Sequence, residues 1–287
     1  MSEKISIIDC PRDAMQGIKT FIPTDQKVDL LNAILQVGFP VVDFGSFVSP
    51  KAIPQMRDTA EVLNRLDLDR TSSELLAIVA NVRGANDAAS FAEISYLGYP
   101  FSISEEFQKR NTNRSIEESL HIVEEIQDIA FRHGKSLVVY LSMGFGNPYG
   151  ETWSPELVIH WSERLEQMGI KTLALSDTIG SATPDIIDQL FRHLIPALPE
   201  VEFGAHLHTL PNEWRPKIDA AWNAGCRRFD GAIKGFGGCP MAKDDLTGNM
   251  PTEKLLSFAT ELKLDHGLNA LAFESAYNQA VKTFPVE

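Results

Sequence analysis

Thr172-Leu-Ala-Leu-Ser-Asp177, a helical stretch from about Pro184 to Leu194, and Phe203-Gly-Ala-His206-Leu-His208 together form the part of the chain that decides the fold. Two short apolar runs flank one helix, which is the pattern of a β-α-β unit in a parallel sheet. Both runs end in polar residues: Asp177 and Thr178 after the first, His206 and His208 in the second. The same alternation extends outward in both directions. Upstream, strands are predicted over 5–10, 41–46, 75–81, 94–102 and 137–143, with helices over 24–37, 53–66, 85–92, 115–133 and 155–168. Pro100 weakens the end of the fourth strand. Ser115-Ile-Glu-Glu118 reads as a capping box that opens a long helix. Downstream, a strand over 228–232 stands between helices over 212–224 and 251–262, and a weaker helix runs to about Lys282. Eight strands separated by helices, with no linker or low-complexity break, predict an α/β chain folded as one (β/α)8 TIM barrel over 1–287, with a C-terminal helical extension. The competing reading is a doubly wound open sheet. The Gly-x-Gly-x-x-Gly turn that would support it is absent after the first strand.

The bulk properties narrow the function. The chain has 287 residues, 44% of them hydrophobic, a net charge of −13 and a pI near 5. Such a charge argues against nucleic acid as the main partner. Cys10, Cys226 and Cys239 make an odd count without framework spacing, which fits free thiols in a reducing compartment. No signal-like h-region precedes the first strand, and no apolar run is long enough to cross a bilayer. The expectation is a soluble cytoplasmic protein with no membrane partner.

In such a barrel the chemistry sits at the carboxyl ends of the strands. Polar residues there are Arg12, Asp13 and Gln16; Asp43 and Ser46; Asn81; Tyr140 and Ser142; Asp177 and Thr178; His206 and His208; and, after the eighth strand, Cys239 and Asn249. Asp13, His206, His208 and Asn249 make a mixed nitrogen and oxygen set. That set suits a six-coordinate divalent ion with water or substrate at the open positions. Zinc would more often recruit thiolates or a third His. A His-x-His on a strand also reads as a hydrogen-bonded core pair, and Asp13 as a turn cap. Gly235, Gly237 and Gly238 precede Cys239 and suggest an exposed loop with the thiol as a candidate acid or base. Arg12 is either a surface charge or, beside a ligand Asp, a group that stabilises a developing oxyanion. Cys10 and Cys226 read as structural.

At these residues the sequence resembles the 3-hydroxy-3-methylglutaryl-CoA lyase family of metal-dependent barrel lyases. The matching stretches are Pro11-Arg-Asp13 with Gln16, Ser46-Phe-Val-Ser-Pro-Lys51 with Pro54-Gln-Met56, Asn111-x-Asn-x-Ser-Ile-Glu-Glu-Ser119, and Asp177-Thr-Ile-Gly180 with Thr183-Pro184. They continue with His206-x-His208, Gly235-Phe-Gly-Gly-Cys-Pro240, and Thr247-Gly-Asn249 with Thr252-Glu253. The resemblance implies retro-Claisen cleavage of a 3-hydroxy-3-methylglutaryl thioester, or a related 3-hydroxyacyl-CoA, to acetyl-CoA and a keto acid. It implies Mg2+ or Mn2+ on Asp13, His206, His208 and Asn249. Arg12 would hold the enolate, His206 would act as base, and Cys239 would exchange a proton. Gln16, Tyr140, Ser142, Asp177 and Thr178 are the expected substrate contacts, and Lys109, Arg110 and Arg114 are candidates for coenzyme phosphates. The chain departs from the family in several places. Asp43 stands where the family has Glu, which retracts a catalytic carboxylate by one methylene. Thr209 stands where an Asp follows His-x-His, and Asn147 stands for a second cysteine.

Two other readings compete. One is an aldolase or Claisen-type synthase acting on 2-oxo acids, which shares the Asp and His-x-His pattern but has no general need of the cysteine loop. The other is a catalytically silent paralogue that serves as a binding protein, suggested by the altered residues at Asp43 and Thr209. Oligomeric state is not readable from the sequence, and a homodimer stays open.

Overall fold

In the computed structural model, which describes residues 2–237 and 247–284, eight parallel strands close into a barrel in sequence order. They are β1 (Ser6–Asp9), β2 (Val41–Ser46), β3 (Glu74–Ile78), β4 (Ile94–Ser102), β5 (Ser136–Ser142), β6 (Thr172–Ser176), β7 (Glu202–His206) and β8 (Arg228–Gly231). Closure comes from β8 pairing with β1, in register from Ser6↔Arg228 to Asp9↔Gly231. Successive side chains on a strand point to opposite faces, so neighbouring apolar residues divide between two cores. Ile8, Val41, Leu76, Val138 and Ala174 pack together inside the barrel. Their neighbours Ile7, Val42, Leu75, Val139 and Leu173 face outward into the layer shared with the helices. The runs are apolar throughout because both faces are buried. Gly98 is required inside: a Cβ there would lie 2.6 Å from Ile78 Cδ1.

The barrel reading and the element order hold, and the differences have local causes. β4 continues through Pro100 to Ser102, because β3 ends at Ile78 opposite Gly98 and only β5 lies alongside Pro100. The helix predicted over 53–66 is broken into a 3-10 turn, Pro54–Met56, and a short helix, Thr59–Leu63. Within the turn, the Gln55 carbonyl accepts from Lys27 Nζ, and the Gln55 side chain accepts from Ile22 N and donates to Ile18 O and Thr20 O. Two helices were not expected. Pro11–Gln16 follows β1 directly with Pro at its first turn, and Glu105–Thr112 is capped by Ser104. The C-terminal helix Ala270–Thr283 packs against Thr24–Leu35.

The capping box forms as read: Ser115 Oγ accepts from Glu118 N at 3.1 Å, and Glu118 Oε2 accepts from Ser115 N at 2.7 Å. Ser115→Ala is expected to cost about 1 kcal/mol. Thermal unfolding should show this as a fall in Tm of about 1.5–2 °C.

Candidate active site

The first site residues ride on the turn of helix after β1. Arg12 and Asp13 sit on Pro11–Gln16, and both are buried. Arg12 Nε donates to Asp43 Oδ1 at 3.2 Å and Oδ2 at 3.1 Å, its Nη2 donates to Asp43 Oδ2 at 2.5 Å, and its Nη1 donates to Asp13 Oδ1 at 2.8 Å. The guanidinium is therefore clamped in one plane between two carboxylates. Gln16 Nε2 adds a bond to Asp13 Oδ1 at 2.5 Å. Asn249 reaches across from the far end of the sequence: its Nδ2 donates to Asp13 Oδ2 at 2.7 Å and to Phe236 O at 2.9 Å. Both amide protons are thus used, and Oδ1 is the atom left for another partner.

His206 is the last residue of β7. The strand predicted over 203–208 stops two residues early, so His208 lies beyond it and is held instead by an antiparallel bridge to Asn249. The two rings still come together, with centroids 5.5 Å apart. One ligand atom from each of Asp13, His206 and His208 lies within 4.8 Å of the others. Both ring nitrogens of His208 are buried without a hydrogen-bond partner among the described residues. A carboxylate, two imidazoles and a free amide oxygen fit a divalent cation, and such an ion would also satisfy the orphaned imidazole.

The electrostatics point the same way. Burial, followed by the charge of His206, pushes His208 down to about 4, so the ring is neutral and able to ligate. Burial would raise Asp13, but Arg12, the two histidines and Asn249 outweigh it, and the net shift is downward. Burial also presses His206 toward its neutral form, but the bonded carboxylate of Asp230 prevails and the net shift is upward. Asp230 Oδ2 stands 3.1 Å from His206 Nδ1, which leaves Nε2 as the nitrogen free for the cavity. Burial lifts the Asp43 carboxyl to about 6 against the pull of Arg12, so it is still ionised at neutral pH. A second cluster joins Cys10 to His206 and Asp230. Burial raises the Cys10 thiol well above its usual range, so it stays protonated and ligates poorly.

A cavity of about 420 Å³ opens over these groups, with Arg12, Asp13, Gln16, Tyr140, Ser142, Thr178, His206 and His208 all in its wall. Asp177 is not among them. Its carboxylate accepts from Lys217 Nζ at 2.8 Å and from Ala182 N at 3.0 Å, so it braces the loop after β6 instead of facing a substrate. Asp43 is fully buried behind Arg12 and reaches the cavity only through it. The Tyr140 hydroxyl is buried without a partner among the described residues. Arg110 and Arg114 line the cavity and Lys109 does not; Lys109 pairs with Glu105 at 3.0 Å, and Arg110 itself pairs with Glu106 at 2.6 Å. Cys239 lies outside the described residues. Sequence reading assigned no role to Asp230 or Lys217. Asp230 was detectable as a carboxylate at a strand end. Nothing local marks Lys217, which belongs to the helix Trp214–Asn223.

Residues 4–279 match the family model described as HMGL-like. The chain is 33% identical to the human protein named 3-hydroxy-3-methylglutaryl-CoA lyase, cytoplasmic, over 94% of this chain and 72% of that protein. It is similar to the solved HMG-CoA lyase of Brucella melitensis, at 29% identity and TM-score 0.90, covering 98% of this chain and 99% of that one. It is equally similar to an HMG-CoA lyase of Acinetobacter baumannii solved with coenzyme A and 3-methylmalate, at 28% identity and TM-score 0.90, covering 98% and 91% of the two chains.

Proposed function

The chain belongs to the HMGL-like family and is a lyase, and from that premise we propose that it performs metal-dependent retro-Claisen cleavage of a 3-hydroxyacyl-CoA of the 3-hydroxy-3-methylglutaryl type. The products are acetyl-CoA and a keto acid. The observation that carries this reading is the meeting of Asp13, His206 and His208 within 4.8 Å, beside an arginine held between Asp13 and Asp43. Asp13, His206, His208 and Asn249 would hold Mg2+ or Mn2+. When bound, such an ion lowers the pKa of a coordinated hydroxyl and orients it.

The protein's own groups do the rest. With Nδ1 held by Asp230, His206 has one lone pair for the cavity, at Nε2; it would accept the C3 hydroxyl proton only on leaving the ion, which Asp13, His208 and Asn249 would keep. The O–H electron pair becomes the carbonyl of the keto acid, the C2–C3 bond breaks, and its pair moves into the thioester enolate. Arg12 donates to that enolate oxygen, whose charge exists only at and beyond the transition state. Cys239 supplies the proton that turns the enolate carbon into the methyl group of acetyl-CoA. Gln16, Ser142, Thr178 and Tyr140, all in the cavity wall, are the acyl contacts of this proposal, and Arg110 and Arg114 in the same wall are its contacts for anionic groups of the ligand. Coenzyme A in the Acinetobacter relative supports an acyl-CoA substrate here. A cytoplasmic location belongs to the same proposal. It is supported by the human relative's name.

Turnover on a panel of acyl-CoA thioesters with Mg2+ or Mn2+ tests the reading, with Cys239→Ser as control. The expected result is acetyl-CoA release from the methylglutaryl thioester or a close 3-hydroxyacyl analogue, strongly reduced in the control. Failure on every thioester, with free thiol released from acetyl-CoA and 2-oxo acids, would replace the lyase by a condensing enzyme.

A further inference from the structure

An imidazole that ligates a metal normally has its other nitrogen pinned by a carboxylate or carbonyl, as Asp230 pins His206. Among the described residues, His208 has no carboxylate or carbonyl within hydrogen-bond geometry of either nitrogen. The aim of its ring therefore depends on its main chain. β7 ends at His206, so the sheet does not hold His208. Two other devices do. On one side is the bridge to Asn249, where Thr209 N donates to Gly248 O at 2.9 Å and Met250 N to Leu207 O at 3.0 Å. On the other side is Lys217, only 3% exposed. Its Nζ donates to the His208 carbonyl at 2.8 Å, to Asp177 Oδ2 at 2.8 Å and to Gly180 O at 3.2 Å. Three acceptors match the three protons of an ammonium group. Gly180 in turn lies against Thr247, whose Cγ2 would be 2.7 Å from an added Cβ. One amine thus ties the loop after β6 to the exit of β7 and, through Gly180, to the segment that carries Asn249.

We propose that Lys217 is a positioning residue for the ion site: it fixes the main chain of His208, with Asp177 as its buried counter-ion. This rests on the divalent-ion reading given above. Lys217 comes from a helix outside the barrel and is not part of the cavity wall, so it acts through His208. Asp177 has a different task from the one its strand-end position suggests. It makes burial of the lysine charge tolerable, since an unpaired buried charge is strongly destabilising.

The test is Mn2+ binding, read from the free-ion signal in electron paramagnetic resonance, on the wild type, Asp177→Asn, and Lys217→Met combined with Asp177→Asn. The double variant avoids stranding a buried carboxylate. Unfolding temperatures in EDTA report structural damage separately. Asp177→Asn keeps the amine but strands its charge, so it is expected to lower the unfolding temperature while losing less Mn2+ affinity than the double variant. The double variant is expected to lose about tenfold or more in affinity, in the range known for groups that support metal ligands. Wild-type affinity in a folded double variant would overturn the role of Lys217 and leave the ion site standing. No Mn2+ binding by the wild type would overturn the ion site, and this inference with it.

Discussion

Arg12→Met is expected to lower kcat by about a hundredfold to a thousandfold, the range for removing one preorganised donor to a developing oxyanion. kcat/KM should fall in parallel, because the lost contact belongs to the transition state and not to substrate binding. The geometry makes the effect large. Asp43 takes both Nε and Nη2, and Asp13 takes Nη1. The guanidinium thus arrives already oriented and desolvated, with little reorganisation left for the reaction. Arg12→Lys should recover little, since an ammonium cannot span Asp43 and Asp13 as a planar fork does. The single Met variant also strands Asp43, and breaking a buried pair in this way costs about 3–5 kcal/mol. Arg12→Met with Asp43→Asn removes that hazard, and Asp43→Asn alone is the reference that separates any loss due to the carboxylate. Steady-state rates on the cleaved thioester check it. A kcat within tenfold of wild type in the folded double variant would take Arg12 out of the chemistry.

The sequence revealed the frame more readily than the wiring. Paired apolar neighbours such as Ile7 and Ile8 announce strands buried on both faces, and their even spacing between helices announces closure. His206 and His208 do converge, but by a route the spacing did not suggest. The strand ends between them, and a bridge to residue 249 replaces the ladder. Asp43 was legible as a carboxylate at a strand, yet its pairing with Arg12 depends on the neighbouring register of β1 and β2, where Asp9 stands opposite Val42. Asp177 was misplaced because a strand-end acid looks the same whether it faces a substrate or a lysine. Its partner Lys217 is forty positions away on an outer helix and becomes its neighbour only after the barrel closes. What escaped was a set of polar pairs between elements, and hydrophobic periodicity carries no information about those.

Gly237→Ala is expected to weaken Mn2+ binding by about a hundredfold, although Gly237 contributes no side chain to the site. Its φ is +96°, a region that costs an L-residue about 1–3 kcal/mol. The space is closed as well. A Cβ there would lie 2.6 Å from Asp13 O, 2.8 Å from Ala14 Cα and 2.8 Å from Asn249 Nδ2. Two of these are backbone atoms of the helical turn that presents Arg12 and Asp13, and neither can yield without moving it. The third is the amide nitrogen that bonds Asp13 Oδ2. One methyl group would therefore displace two proposed ligands from opposite ends of the chain, each away from the other. A misplacement of about 1 Å is enough to cost a factor of a hundred at a preorganised site. Calorimetric titration with Mn2+ checks the affinity, and circular dichroism shows whether the barrel is intact. A folded Gly237→Ala protein that binds Mn2+ as tightly as wild type would mean that Asp13 and Asn249 do not share an ion.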